Sequence, residues 1–154
     1  MTEIARTARC ACGQLTAATM GEPARSLICS CDDCHRKSGS GFNWSTYWPE
    51  HAVTITGESK SFRRASQGGR SLEYHFCPDC GVGLWWRADF ATGLIGIAGG
   101  NFDAPLPPPT RAYWSEFRPD WCDDIAGIPA LRGNSAWPRS SSTTCARILA
   151  ISTP

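Results

Sequence analysis

The chain has 154 residues, 42% of them hydrophobic and 19% charged. That size and balance fit one domain with a real core and exclude intrinsic disorder. A formal net charge of +1 gives no broad field to recruit nucleic acid or an acidic membrane. No apolar run approaches the roughly 20 residues of a membrane helix. The segment from Met1 to Arg9 lacks the apolar stretch of a secretory signal, so the cytoplasm is the expected compartment. Of the 15 basic residues all but Lys37 and Lys60 are arginine, the residue suited to bidentate contacts with discrete anions.

In chain order, a close cysteine pair comes first, Cys10-Ala11-Cys12-Gly13, and then Cys29-Ser30-Cys31-Asp32-Asp33-Cys34. Phe42, Trp44, Thr46 and Trp48 share one face of a candidate strand that Pro49 stops. Val53 and Ile55 alternate with threonines up to Gly57, and Leu72, Tyr74 and Phe76 alternate with polar residues; both are the period-2 pattern of half-buried strands. A third cysteine cluster, Cys77-Pro78-Asp79-Cys80-Gly81, is followed by short apolar runs at Leu84–Trp86 and Leu94–Ala98. No long segment keeps a 3.6-residue period, and 15 Gly with 11 Pro predict a mainly β domain with many turns. Pro105 and Pro107–Pro109 form a stiff connector. The aromatic segment Tyr113, Trp114, Phe117 and Trp121 is expected to pack on the core. Beyond Gly133 the composition turns Ser/Thr-rich, as in 139–144. The expected organisation is therefore a zinc-binding β domain over 1–133 and a poorly ordered tail over 134–154.

Nine cysteines in a chain with no signal point to metal or redox chemistry rather than a disulfide framework. Thiolates two or three positions apart on a tight turn can aim at one centre, and a glycine after the last cysteine lets the turn bend back. Cys10, Cys12, Cys77 and Cys80 then supply the four thiolates of a closed, structural zinc site. Cys29, Cys31 and Cys34 supply three from one loop, the ligand number of a catalytic zinc with an open position. The alternatives for this trio are a second structural site, with His35, His51, His75 or Cys122 as fourth ligand, and a thiol-redox pair of Cys31 and Cys34. His35 reads better as a group that orients a ligand than as a ligand. Cys122 and Cys145 read as simple thiols, and Asp32 and Asp33 as caps of a following turn.

Taken together, Cys10-x-Cys12-Gly13, Cys29-x-Cys31-x-x-Cys34, Arg36-x-x-Gly39-Ser40 and Phe76-Cys77-Pro78-x-Cys80-Gly81 resemble the glutathione-dependent formaldehyde-activating enzyme family. Thr110-Arg111-Ala112-Tyr113-Trp114 and Arg118-Pro119-Asp120-Trp121 resemble its closing segment, so the similarity spans roughly residues 8–125. The resemblance implies several coiled β-sheets stapled by zinc, the β-tent shared with Rab-exchange zinc proteins and methionine sulfoxide reductase B. It implies two zinc ions, a structural one at Cys10, Cys12, Cys77 and Cys80 and a catalytic one at Cys29, Cys31 and Cys34. It also implies glutathione as co-substrate and a carbon–sulfur lyase or synthase reaction that joins it to formaldehyde. The chain departs from the pattern at Ser30 and Ala112, where family members often carry histidine.

Three thiolates around a divalent zinc leave a net charge of −1, which weakens its Lewis acidity and favours a thiol-binding role. Arg36 and Lys37 are then candidate partners for the carboxylates of glutathione, and Trp44 or Trp48 candidate walls of its pocket; solvated charge and core aromatics are the plainer readings of each. Small-molecule thiol and aldehyde are the expected partners. The alternative function is a zinc-stapled binding module, or a glutathione carrier without catalysis. A sulfoxide reductase using Cys122 is disfavoured because the first pair is Cys-x-Cys rather than Cys-x-x-Cys.

Overall fold

The structure is a computed structural model that describes residues 4–66 and 69–128. It divides into one unit that ends at Arg118 and a second that begins at Pro119. The expected tail, 134–154, and Cys145 lie outside the described residues. The second unit, as far as it is described, consists of short 3-10 turns at Asp120–Cys122 and Ile125–Gly127, and holds Trp121 and Cys122.

The first unit is two β-sheets with a single short helix among the described residues. Strands β1 (Ala5–Arg9), β2 (Thr16–Met20) and β5 (Val53–Thr56) form the small sheet in the order β1-β2-β5. The large sheet comprises β3 (Arg25–Cys29), β4 (Asn43–Pro49), β6 (Lys60–Ala65), β7 (Ser71–Phe76), β8 (Gly83–Ala88), β9 (Leu94–Ala98) and β10 (Arg111–Tyr113). Its order is β10-β3-β4-β9-β8-β7-β6, with β10 alone parallel to its neighbour. The helix α1 (Asp32–Ser38) follows β3 directly. Each period-2 segment of the sequence is a strand, and the fold is mainly β as expected.

The central strands of the large sheet carry apolar residues on both faces, and the alternation of side chains sorts them between the two. On one face Trp48, Ile95, Ile97 and Leu84 meet Ala8, Leu15 and Ala17 of the small sheet in the main core. On the other face Tyr47, Leu72, Trp86, Ala88 and Ala91 form a second cluster. A bulge between His75 and Phe76 leaves Leu84 without a partner in the ladder, so Leu84 and Trp85 both pack against the main core. Trp86 lies over Gly96, where a Cβ would come within 2.1 Å of its indole nitrogen. Only glycine at 96 lets this tryptophan lie flat on the sheet.

The face assignment corrects two expectations. Even-numbered residues of β4 point into the main core, so Trp48 is fully buried there, and Trp44 packs on Gly99 and donates its Nε1–H to Ser26 Oγ at 3.0 Å. Neither walls the cavity described below; the odd-numbered Asn43, Ser45 and Tyr47 do. Tyr113, Trp114 and Phe117 are also not core residues but are roughly half exposed. Tyr113 ends, and the other two follow, an edge strand of only three residues, which offers little surface to cover them. Trp114 sits at φ 55°, a left-handed backbone that a bulky residue adopts only under constraint. The proline connector lies along the first unit, where Arg6 Nε–H donates to Pro105 O at 3.1 Å and Ser26 Oγ–H to Pro107 O at 3.2 Å.

Candidate metal centres and a cavity

The sulfurs of Cys10, Cys12, Cys77 and Cys80 all lie within 4.8 Å of one another. Two tight turns bring them there. Cys10 N–H reaches Leu15 O and Gly13 N–H returns to Cys10 O; Cys77 N–H reaches Val82 O and Gly81 N–H returns to Cys77 O. Gly13 and Gly81 take positive φ, 82° and 74°, the conformation these turns need and side chains resist. The Cys10–Cys12 and Cys12–Cys77 sulfurs are 3.5 and 3.6 Å apart. A tetrahedral zinc with bonds of about 2.3 Å separates its sulfurs by about 3.8 Å, so this donor set fits zinc. Sequence separation makes the group a clamp between the small sheet and the β7–β8 turn, with Cys10 and Cys77 buried in the main core.

Donors surround these sulfurs. Leu15 N–H points at Cys10 Sγ at 3.3 Å, and the Gln14 amide at Cys77 Sγ at 3.0 Å. Burial opposes ionisation of Cys77, but the Gln14 amide and the backbone N–H groups of Cys80 and Asp79 outweigh it and pull the thiol down to about 6. Gln14 is itself fixed by two hydrogen bonds to the Glu58 backbone. No local pattern marks Gln14, because its partners lie 44 and 63 positions away.

The sulfurs of Cys29, Cys31 and Cys34 form the second group, again within 4.8 Å of one another. Cys29 ends β3, Cys31 is the N-cap of α1 and Cys34 lies in its first turns. Cys31 and Cys34 are three apart, the spacing that stacks two side chains on one helix face. Asp32 and Asp33 occupy the first turn of α1, where negative charge is favoured by the helix dipole. Among the described residues none of His35, His51 and His75 belongs to this group. His35 instead holds the loop, its Nε2 2.9 Å from Gly41 O, and His75 stacks on Trp85 with ring centroids 3.6 Å apart. The hydrogen bond from Cys34, opposed by burial and helped by contacts from Cys31, draws the Cys29 thiol down to about 6. The same bond, with burial, pushes Cys34 up. Three sulfurs at this spacing fit zinc as donors, one ligand short of a tetrahedron.

The trio lies at one end of a cavity of about 490 Å³. Its floor is the second face of the large sheet. Arg25, Leu27 and Cys29 of β3 line it beside Tyr47, Ser45 and Asn43 of β4, to which they are paired in register. Tyr74, Trp86 and Tyr113–Trp114 add aromatic wall. Tyr47 accepts from Trp86 Nε1–H at 3.3 Å, and burial pushes its own hydroxyl up to about 12. Arg64 crosses to α1, 2.8 Å from Asp33, and donates to the Tyr74 hydroxyl at 3.0 Å.

Of the two basic residues expected at the site, the structure brings Lys37 to the cavity and leaves Arg36 outside it. Arg36 is exposed, 3.9 Å from Asp32 on the outer face of α1. Lys37 Nζ is buried, without a hydrogen-bond partner, 3.3 Å over the Trp86 ring and 4.7 Å from the Tyr74 centroid. Burial lowers its pKa to about 7, against the pull of Cys34.

A search of curated proteins finds no match. Among solved structures, a crystal structure of a Rhodobacter sphaeroides protein superposes with a TM-score of 0.53 at 15% identity, covering 69% of this chain and 98% of that one; this likeness concerns the fold. No helix among the described residues is long and apolar enough to cross a membrane. The model of the glutathione-dependent formaldehyde-activating enzyme family matches residues 5–117. That span takes in both cysteine groups and the whole cavity lining, and the chain belongs to that family.

Proposed function

We propose that this protein is a zinc-dependent carbon–sulfur lyase or synthase that acts on the formaldehyde adduct of glutathione or a similar thiol, with one structural and one catalytic zinc. The observation that carries this reading is the placement of the open trio. Cys29, Cys31 and Cys34 end a ligand-sized cavity, whereas Cys10, Cys12, Cys77 and Cys80 form a complete set in the core. Zinc held by the trio supplies a position for an incoming thiol and lowers its pKa.

The chain's own groups supply the rest. Trp86, Tyr74 and Trp114 exclude water from the thiol's methylene and the aldehyde. In the synthase direction the thiol releases its proton to water, its sulfur bonds to the aldehyde carbon as the C=O π bond breaks, and the carbonyl oxygen takes up a proton from water. Tyr47 keeps its proton throughout the neutral range and so presents a neutral hydroxyl in the cavity floor; the lyase direction reverses each step. Carbon–sulfur addition to formaldehyde is intrinsically easy, so orientation supplies much of the gain. The test is glutathione calorimetry on the zinc-loaded protein together with NMR exchange between formaldehyde and its glutathione adduct. Saturable binding and faster exchange with enzyme are expected. Absence of binding at millimolar glutathione contradicts the reading and favours a zinc-stapled binding module.

A further inference from the structure

The cavity has a direction. Along β3, Cys29 stands at one end and Arg25 at the other, with Leu27 between them on the same face. At about 3.3 Å per residue their Cα atoms are about 13 Å apart. Ladder register carries that direction across the sheet. Arg25 is level with Tyr47, Tyr47 with Gly96, Gly96 with Trp86 and Trp86 with Tyr74. Moving back along β7 from Tyr74 leads away from the cysteine end, through Leu72 to Arg70. Arg25 and Arg70 therefore both line the cavity on the side away from the sulfurs.

The charges are unbalanced. Asp33 is the sole acid among the lining residues described, and it is held by Arg64. Among the described residues neither Arg25 nor Arg70 makes an ion pair; Arg70 rests over the Phe90 ring at 5.6 Å. Both are exposed, so their guanidinium groups are open to a ligand in solution. A slot with thiolates at one end and unpaired guanidinium groups at the other suits an extended molecule with a thiol at one end and carboxylates at the other.

Resting on the thiol reading above, we infer that Arg25 and Arg70 are specificity-determining residues that bind the carboxylates of the thiol substrate and select an anionic peptide thiol over a neutral one. Arg36 does not take part, being outside the lining. Calorimetry on the zinc-loaded full chain tests this with two probes, glutathione and its diethyl ester, which keeps the thiol and loses both carboxylate charges. Wild-type protein is expected to bind glutathione about tenfold or more tighter than the ester. R25Q and R70Q should each weaken glutathione binding by about three- to tenfold and change ester binding by less than about twofold. Circular dichroism and zinc content unchanged from wild type exclude a folding effect, and R63Q, on the edge strand outside the cavity, should bind both probes as wild type does. Equal affinity of wild type for the two probes overturns the inference while leaving the thiol reading intact, as does equal loss of both probes in the variants. Failure of both probes to bind overturns the two together.

Discussion

Cys77→Ser and Cys80→Ser are expected to yield protein with no cooperative melt, whereas Cys34→Ser keeps a folded spectrum and melts within a few degrees of wild type. Each of the three substitutions removes one sulfur from a cysteine group, but the groups stand in different places. Cys10 and Cys77 are buried in the main core, and their group ties the small sheet to the β7–β8 turn across 65 residues of sequence. Structural zinc contributes about 10 kcal/mol or more of apparent binding free energy. Its loss is comparable to the whole stability of a domain, about 5–15 kcal/mol. The trio instead closes a loop between adjacent elements, β3 and α1, and its residues are only half-buried. Circular dichroism melts read against zinc content decide the matter. Two zinc ions per chain are expected for wild type, one for Cys34→Ser, and unfolding of Cys34→Ser to the same extent as Cys80→Ser contradicts the division of roles.

Cys31→Ser and Cys34→Ser should also return formaldehyde exchange to the uncatalysed rate, a loss of about 100-fold or more if the thiol position is the catalytic one. Serine is nearly isosteric but is not ionised at neutral pH and is a poor ligand for zinc. Each substitution is thus expected to abolish metal binding at the trio without emptying the cavity, whose floor and aromatic walls come from β3, β4, β7 and β8. Exchange NMR reads the loss, and calorimetry should show glutathione binding falling with it. Retention of full exchange by folded, singly zinc-loaded Cys34→Ser assigns the chemistry elsewhere.

The cysteine groups and the strands were legible in the sequence because both are local signals. Cys10-x-Cys12, Cys29-x-Cys31-x-x-Cys34 and Cys77-x-x-Cys80 declare themselves by spacing, and Leu72, Tyr74 and Phe76 by alternation. The cavity was not legible, because strand register joins its parts. Nothing in the chain announces that Arg25 is level with Tyr47, or Trp86 with Tyr74, until the ladders are known. β4 is apolar or small on both faces, so alternation could not say whether Trp48 or Tyr47 faces a ligand. α1, with seven residues, is too short to show a helical period, and Arg36 and Lys37 could not be assigned to its outer and inner sides. The exposed Tyr113 and Trp114 ran against the usual burial of aromatics. Their place at the cavity rim, with Trp114 held at positive φ, gives that exposure a use.

The central claim is that one cysteine group is closed and the other open to a thiol. X-ray absorption at the zinc edge, on protein carrying two zinc ions, tests it most directly. Four sulfurs at one centre and three at the other average about 3.5 per zinc, and saturating glutathione should raise that average to about 4. Cys34→Ser protein, keeping only the closed centre, should give about 4 with or without glutathione. An average of about 4 in the wild type before any thiol is added, or one that glutathione leaves unchanged, contradicts the account.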